Sequence, residues 1–168
     1  GPTVGATLAQ TVSETGTYIV VAADKDAATS CNDSSKVTIT VKDLPTVVSV
    51  TGGSDYCNGK TVTAPTFTFS GTAPFTFSYS DTKNSYTNKT ATTTTYSPSA
   101  PSAVGEYTYT ISALADAYCT ATALTGSTTI KIKEQPSVTA SNNGSVCAGS
   151  SVTLTATCAT PSVTYLWS

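Results

Sequence analysis

The residues of this chain best suited to covalent chemistry are five cysteines: Cys31, Cys57, Cys119, Cys147 and Cys158. None belongs to a CxxC pair and the chain has no His, so neither a zinc site nor a Cys–His nucleophile is expected. Wide spacing in a Thr-rich chain suggests disulfides in an oxidising, extracellular compartment. Cys57 precedes the first apolar pattern of the central segment and Cys119 follows the Tyr107 pattern. A Cys57–Cys119 bridge is therefore expected to staple one domain, the alternative being two thiols. Its closed loop of about 62 residues would contribute roughly 4 kcal/mol in the chain-entropy account. Cys158 continues the alternation Val152, Leu154, Ala156, so it is expected to face a core as a small apolar thiol. A switch of partner to Cys31 is the alternative for it.

Other chemistry is sparse. The ten carboxylates are scattered and no pair is placed for acid/base work. No Gly-rich phosphate loop occurs, and no His can activate a Ser. An enzyme is not expected, nor a cofactor, nor a bound metal. Asp24, Asp26 and Asp33 could offer oxygens to calcium, but their spacing fits no calcium loop and Lys25 intervenes, so a solvated loop is the reading. Asn32-Asp33-Ser34, Asn88-Lys89-Thr90 and Asn143-Gly144-Ser145 match the glycosylation triplet and are taken as chance matches. Tyr86, Tyr96 and Tyr118 lie outside the clearest alternating runs, which makes them the candidate contacts for a surface glycan.

The charge balance narrows the partners further. Net charge is −2, with eight Lys and no Arg, a poor basis for nucleic-acid binding. No apolar run approaches the roughly 18 residues that span a bilayer, so this segment is not expected to insert in a membrane. Thr and Ser number 36 and 22, which alone would suit a disordered mucin-like stalk. The apolar residues keep a period of two, however, and a disordered tract has no reason to do so.

That period predicts strands. Phe67 and Phe69 share a face, as do Phe75, Phe77 and Tyr79, with a turn at Gly71-Thr72-Ala73-Pro74 between them. Thr92–Tyr96 is a further strand. Tyr107, Tyr109 and Ile111 alternate in the next, and Ile130 and Ile132 in the last. Towards the two ends the inward sets are Val152, Leu154 and Ala156; Val163, Tyr165 and Trp167; Tyr18 and Val20; Val37, Ile39 and Val41. Trp167 sits where immunoglobulin-like folds bury a core tryptophan, and Tyr18 and Tyr107, each following Gly-x, suit tyrosine corners. The fold class is all-β, with tandem immunoglobulin-like sandwiches.

Features recur along the chain. Val37–Pro45 and Thr129–Pro136 each give a last strand, a charged residue and a proline, the prolines being 91 residues apart. Gly16-Thr17-Tyr18 before Cys31 matches Gly105-Glu106-Tyr107 before Cys119. Cys57-Asn58-Gly59 matches Cys147-Ala148-Gly149. Residues 46–136 are therefore expected to form one complete domain. Residues 1–45 read as the C-terminal half of another, and 137–168 as the N-terminal half of one completed by 1–45 of the next copy. Cys147 and Cys31 would then close a disulfide across that seam. The alternative is a truncated chain with Gly1-Pro2 left by tag removal.

Val146–Ala156, Tyr165-Leu166-Trp167-Ser168, Glu14–Tyr18 and Thr66–Ser80 together resemble the immunoglobulin-like repeats of giant cell-surface proteins of Bacteroidetes-type bacteria. Gliding-motility adhesins of the SprB type and other type IX secreted repeat proteins carry such repeats. The resemblance implies an extracellular, cell-surface filament serving adhesion or gliding motility. Its partners would be neighbouring copies of the same repeat, end to end, and surface glycans.

Overall fold

Strands make up the regular structure of the described residues, 9–23 and 32–168 of a computed structural model. They fall into two units, Gly1–Leu44 and Pro45–Ser168. In the first, β1 (Gly16–Ala23) and β2 (Asn32–Ile39) form an antiparallel hairpin, with Gly16 opposite Ile39 and Tyr18 opposite Val37. Val41 lies past the strand end. It is held to the hairpin by the Thr15 hydroxyl, which accepts from the Val41 amide at 2.7 Å.

The second unit begins with β3 (Thr46–Thr51), β4 (Asp55–Cys57), β5 (Thr66–Ser70) and β6 (Phe75–Ser80). It continues with β7 (Ser85–Ala91), β8 (Thr95–Tyr96), β9 (Gly105–Ala115) and β10 (Ser127–Lys133). These eight make two sheets, in orders β3-β5-β8 and β4-β10-β9-β6-β7. The only parallel pairing among them is β4 with β10, Ile132 facing Tyr56. The rest of the unit holds β11 (Val138–Asn142) and β12 (Leu154–Cys158), an antiparallel hairpin.

The core lies between the two sheets because alternate residues of each strand point the same way. Phe67 and Phe69 of β5 meet Phe75, Phe77 and Tyr79 of β6, all nearly fully buried. Tyr107, Tyr109 and Ile111 of β9 and Ile130 and Ile132 of β10 complete it. The rings interlock: Phe69 and Phe77 have centroids 5.0 Å apart, and Phe67 and Tyr79 5.1 Å apart in an edge-on contact. The expected all-β immunoglobulin-like sandwich is what the chain forms.

Two expectations about strands are corrected. Thr92–Tyr96 is mostly turn, with only Thr95–Tyr96 paired, to β5; the strand that builds the sheet edge is β7, just before it. Residues 163–168 are not strand, although Val163, Tyr165 and Trp167 alternate. Among the described residues no neighbouring strand takes up their backbone N–H and C=O groups, and without a ladder an extended segment is not a strand.

Candidate assembly surfaces

The terminal hairpins repeat the local structure of the central sandwich, part by part. In the centre, Gly105 pairs with Ile132 and Tyr107 with Ile130. The β1–β2 hairpin has the same register, Gly16 to Ile39 and Tyr18 to Val37. The tyrosine hydroxyls act alike: Tyr107 donates to the Ala103 carbonyl at 3.0 Å and Tyr18 to the Glu14 carbonyl at 2.9 Å, each four residues back. These are tyrosine corners, which tie a strand start to the loop before it.

The opposite halves match too. Val47 pairs with Phe69, and Val138 with Cys158. The Cys57 carbonyl accepts from the Lys60 amide at 3.1 Å, with Gly59 at φ 81°. The Cys147 carbonyl accepts from the Ser150 amide at 3.0 Å, with Gly149 at φ 86°. Both are type II turns, whose third residue needs a positive φ that glycine takes at little cost.

What differs is burial. Tyr109 and Ile130 are sealed in the central core, whereas Val20 and Val37, their respective counterparts in the β1–β2 hairpin, are 55% and 57% exposed. A groove of about 550 Å³ runs over that hairpin, lined by Tyr18, Val20, Val37 and Ile39 among others. A second groove, of about 600 Å³, runs over β11–β12, lined by Val138, Ala140, Ala156, Cys158, Tyr165 and Trp167 among others. Trp167, expected in a core, is 54% exposed; no second sheet among the described residues covers it. Cys158 does face the apolar side of its hairpin, half-buried.

The structure does not bring Cys57 and Cys119 together. Cys57 pairs with Lys133, and the residue before it, Tyr56, is level with Ile132 and so with Gly105 at the start of β9. The Cys119 carbonyl accepts from the Asp116 amide at 2.8 Å, just beyond the last residue of β9. Eleven residues of β9 thus separate them, a rise of roughly 35 Å. A disulfide needs Cα atoms within about 7 Å, so the expected bridge is not compatible with this register. Order along the chain had suggested proximity, but a long strand carries the chain to the far end. No disulfide is present among the described residues. Cys147 occupies the place that Cys57 has in the centre; Cys31 lies outside the described residues, as do Asp24 and Asp26.

The candidate glycan contacts are also redistributed. Tyr86 stacks on Tyr79 at 4.6 Å and Tyr96 meets Phe77 edge-on at 4.8 Å, so both rings roof the core instead of waiting for a ligand. Tyr118 is 64% exposed. The residue that sequence reasoning missed is Asp81, the one buried carboxylate among the described residues. It caps the β6–β7 turn, accepting from the amides of Lys83 and Asn84 at 2.8 and 2.7 Å and from the Tyr86 hydroxyl at 3.2 Å. A cavity of about 210 Å³ beside it is lined by Tyr79, Tyr86, Tyr96 and Tyr109 among others. Asp81 is already satisfied by its own turn, so its carboxylate is not aimed at a guest. Among the described residues no group of three or more His, Cys, Asp or Glu could hold a metal, and no helix is long and apolar enough to cross a membrane.

Burial pushes the Tyr109 phenol up to about 12, and Tyr79 is raised further still by burial and by the neighbouring Tyr96 and Tyr86. A phenol ionises near 10 when unfolded. The raised folded values mean that the stability these groups support is intact below pH 10 and is lost as pH rises through 12. Thermal melts are expected to be flat from pH 7 to about 10 and to fall steeply above it. A melting temperature unchanged at pH 12 would contradict the buried placement of these phenols.

Two facing sheets with a tyrosine corner and an aromatic core define the central segment as an immunoglobulin-like domain. The chain belongs to the family of nucleoporin pom152-like, immunoglobulin-like domains, whose model matches residues 42–141. That match carries the immunoglobulin-like part of the resemblance read from the sequence and not the SprB-type part. No curated protein matches the chain.

Proposed function

We propose that this chain is a structural repeat of a long extracellular adhesin filament or stalk, serving surface adhesion and, in a gliding cell, motility. One observation carries the reading. The chain comes into the central sandwich beside Gly71, where Pro45 lies 3.2 Å from the place a Cβ would take, and Gly71 adjoins Asp116 at the end of β9. It leaves after Lys133, level with the start of β9. The two linkers therefore depart from opposite ends, as a string of domains requires.

The same topology suits tension. Pulling on the two linkers slides β4 against β10, and the rungs between these parallel strands are loaded together. The rungs include Lys131 N–H to Ser54 C=O at 3.0 Å and Asn58 N–H to Lys133 C=O at 2.7 Å. The family name refers to a nucleoporin; what supports the present reading is the module itself, a scaffold without a catalytic set. No enzymatic role is proposed. The extracellular placing rests on the resemblance and the hydroxyl-rich surface, not on a disulfide.

Force spectroscopy on tandem copies tests the stalk reading. The central domain should unfold in single events lengthening the chain by roughly 27 nm, the extended reach of its strands and loops less their folded span. Asn58→Pro removes one rung while leaving the type II turn intact, because proline suits the second position of that turn. The expected result is a lower unfolding force with a melting temperature changed by only a few degrees. A domain that yields without a force peak would overturn the load-bearing role.

A further inference from the structure

We infer that the two apolar hairpin faces are halves of one composite sandwich, made when β1–β2 of one copy closes on β11–β12 and residues 163–168 of a second copy. The inference rests on the repeat reading above and names the partner it requires. The template is inside the chain. In the central domain the β9–β10 pair covers the β3–β5 pair, and Ile130, Tyr109, Phe69 and Val47 are buried between them. The β1–β2 hairpin reproduces β9–β10 in register and corner, and β11–β12 reproduces β3–β5 in pairing and turn. Each terminal hairpin keeps the apolar side chains that the template buries, and each leaves them about half exposed.

The offsets agree in detail. Pro45 and Pro136 are 91 residues apart, but Cys57 and Cys147 are 90 apart. The difference is one residue, and β3 carries a bulge between Val47 and Ser49 where β11 pairs without a shift.

The template also sets the contacts across the two copies. Ile132 pairs with Tyr56 and Lys133 with Cys57. By the shared registers Ile39 should pair with Val146, and Thr40 with Cys147, of the neighbouring copy, in parallel. Trp167 takes the place of Tyr79, which is 4% exposed. Residues 163–168 gain β1 as the ladder partner they lack, as β6 has β9. A second copy is favoured over closure within one chain because the central domain's linkers leave from opposite ends, and residues 40–45 reach at most about 20 Å.

Trp167 is the single tryptophan, so its emission reports on the composite sandwich alone. Titration of the intact chain from nanomolar to high micromolar, followed by fluorescence and sedimentation, tests the inference. The expected result is a blue shift with end-to-end multimers. Acrylamide quenching should fall about tenfold, following the change from 54% exposure to the 4% of Tyr79. Val20→Asp should abolish both changes while the thermal transition of the central domain stays in place. Thr40→Cys should give disulfide-linked multimers on addition of an oxidised dithiol, which takes up the two electrons as the two thiols lose their protons. The same variant carrying Cys147→Ser should give none.

A monomer with quenchable Trp167 at every concentration overturns the inference. So does a monomer with shielded Trp167, which would mean closure within one copy. Either result leaves the force response of the central domain untouched, and loss of that response would leave the Trp167 titration untouched, so the two readings fail separately.

Discussion

Phe77→Ala is expected to destabilise the central domain by about 3–5 kcal/mol, the usual cost of a large cavity in an aromatic core. Phe77 is 1% exposed and meets three rings of the facing sheet across the core: Tyr96 at 4.8 Å, Phe69 at 5.0 Å and Phe67 at 6.5 Å. Removing the ring takes away both the buried apolar area and the keystone between the sheets, and close-packed neighbours relax into such a gap only in part. For a domain of this size the loss is a large share of total stability. Thr76→Ala, one residue away on the outer face, should change stability by less than about 0.5 kcal/mol. Urea unfolding followed by near-ultraviolet dichroism measures both. Equal effects at the two positions would mean that the ring cluster is not the core.

Gly52→Ala should cost about 2–5 kcal/mol although it adds a single methyl group. The first edge of the sandwich changes sheets here: β3 pairs with β5, and three residues later β4 pairs with β10. The jog needs φ 95° at Gly52, and an added Cβ would lie 2.9 Å from both the Ala64 carbonyl oxygen and the Pro65 Cα. These are backbone atoms, which cannot swing aside like the end of a side chain. The positive φ costs an L-residue about 1–2 kcal/mol, and overpacking adds about 1–3. The strain should be relieved by detaching β4. Hydrogen exchange at the Lys131 and Asn58 amides, which bond across the β4–β10 pair, should then quicken more than at β9. Unchanged exchange with unchanged stability would remove the sheet-switch account.

The sequence pattern was most legible where a strand buries one face. Phe67 and Phe69, Phe75 to Tyr79, Tyr107 to Ile111, and Ile130 with Ile132 all point inward as their alternation predicts. Edge elements were not legible, for a physical reason. β7 is Ser-Tyr-Thr-Asn-Lys-Thr-Ala with a single neighbour, β6; Tyr86 and Ala91 face the core, but the register shift between Tyr86 and Lys89, with Asn88 at φ 52°, breaks the period of two. β4 is three residues long and is defined by what it pairs with. Tyr86 and Tyr96 looked spare because they fall outside the alternating runs, yet they close the open side of the core. The Cys57–Cys119 bridge was misread because sequence order shows which strand follows which and not which end a loop lies at. The exposed hairpin faces were legible only as halves: the residues that would bury Val20 and Trp167 are not beside them in the sequence order of one copy.

Copies joined end to end are proposed to make a shaft. Small-angle X-ray scattering of chains with two, four and eight copies tests it most directly. The maximum dimension should rise linearly, by about 70–80 Å per copy, the length of two sandwiches end to end. A dimension that grows only as the cube root of chain mass would show a folded-back globule and contradict the shaft.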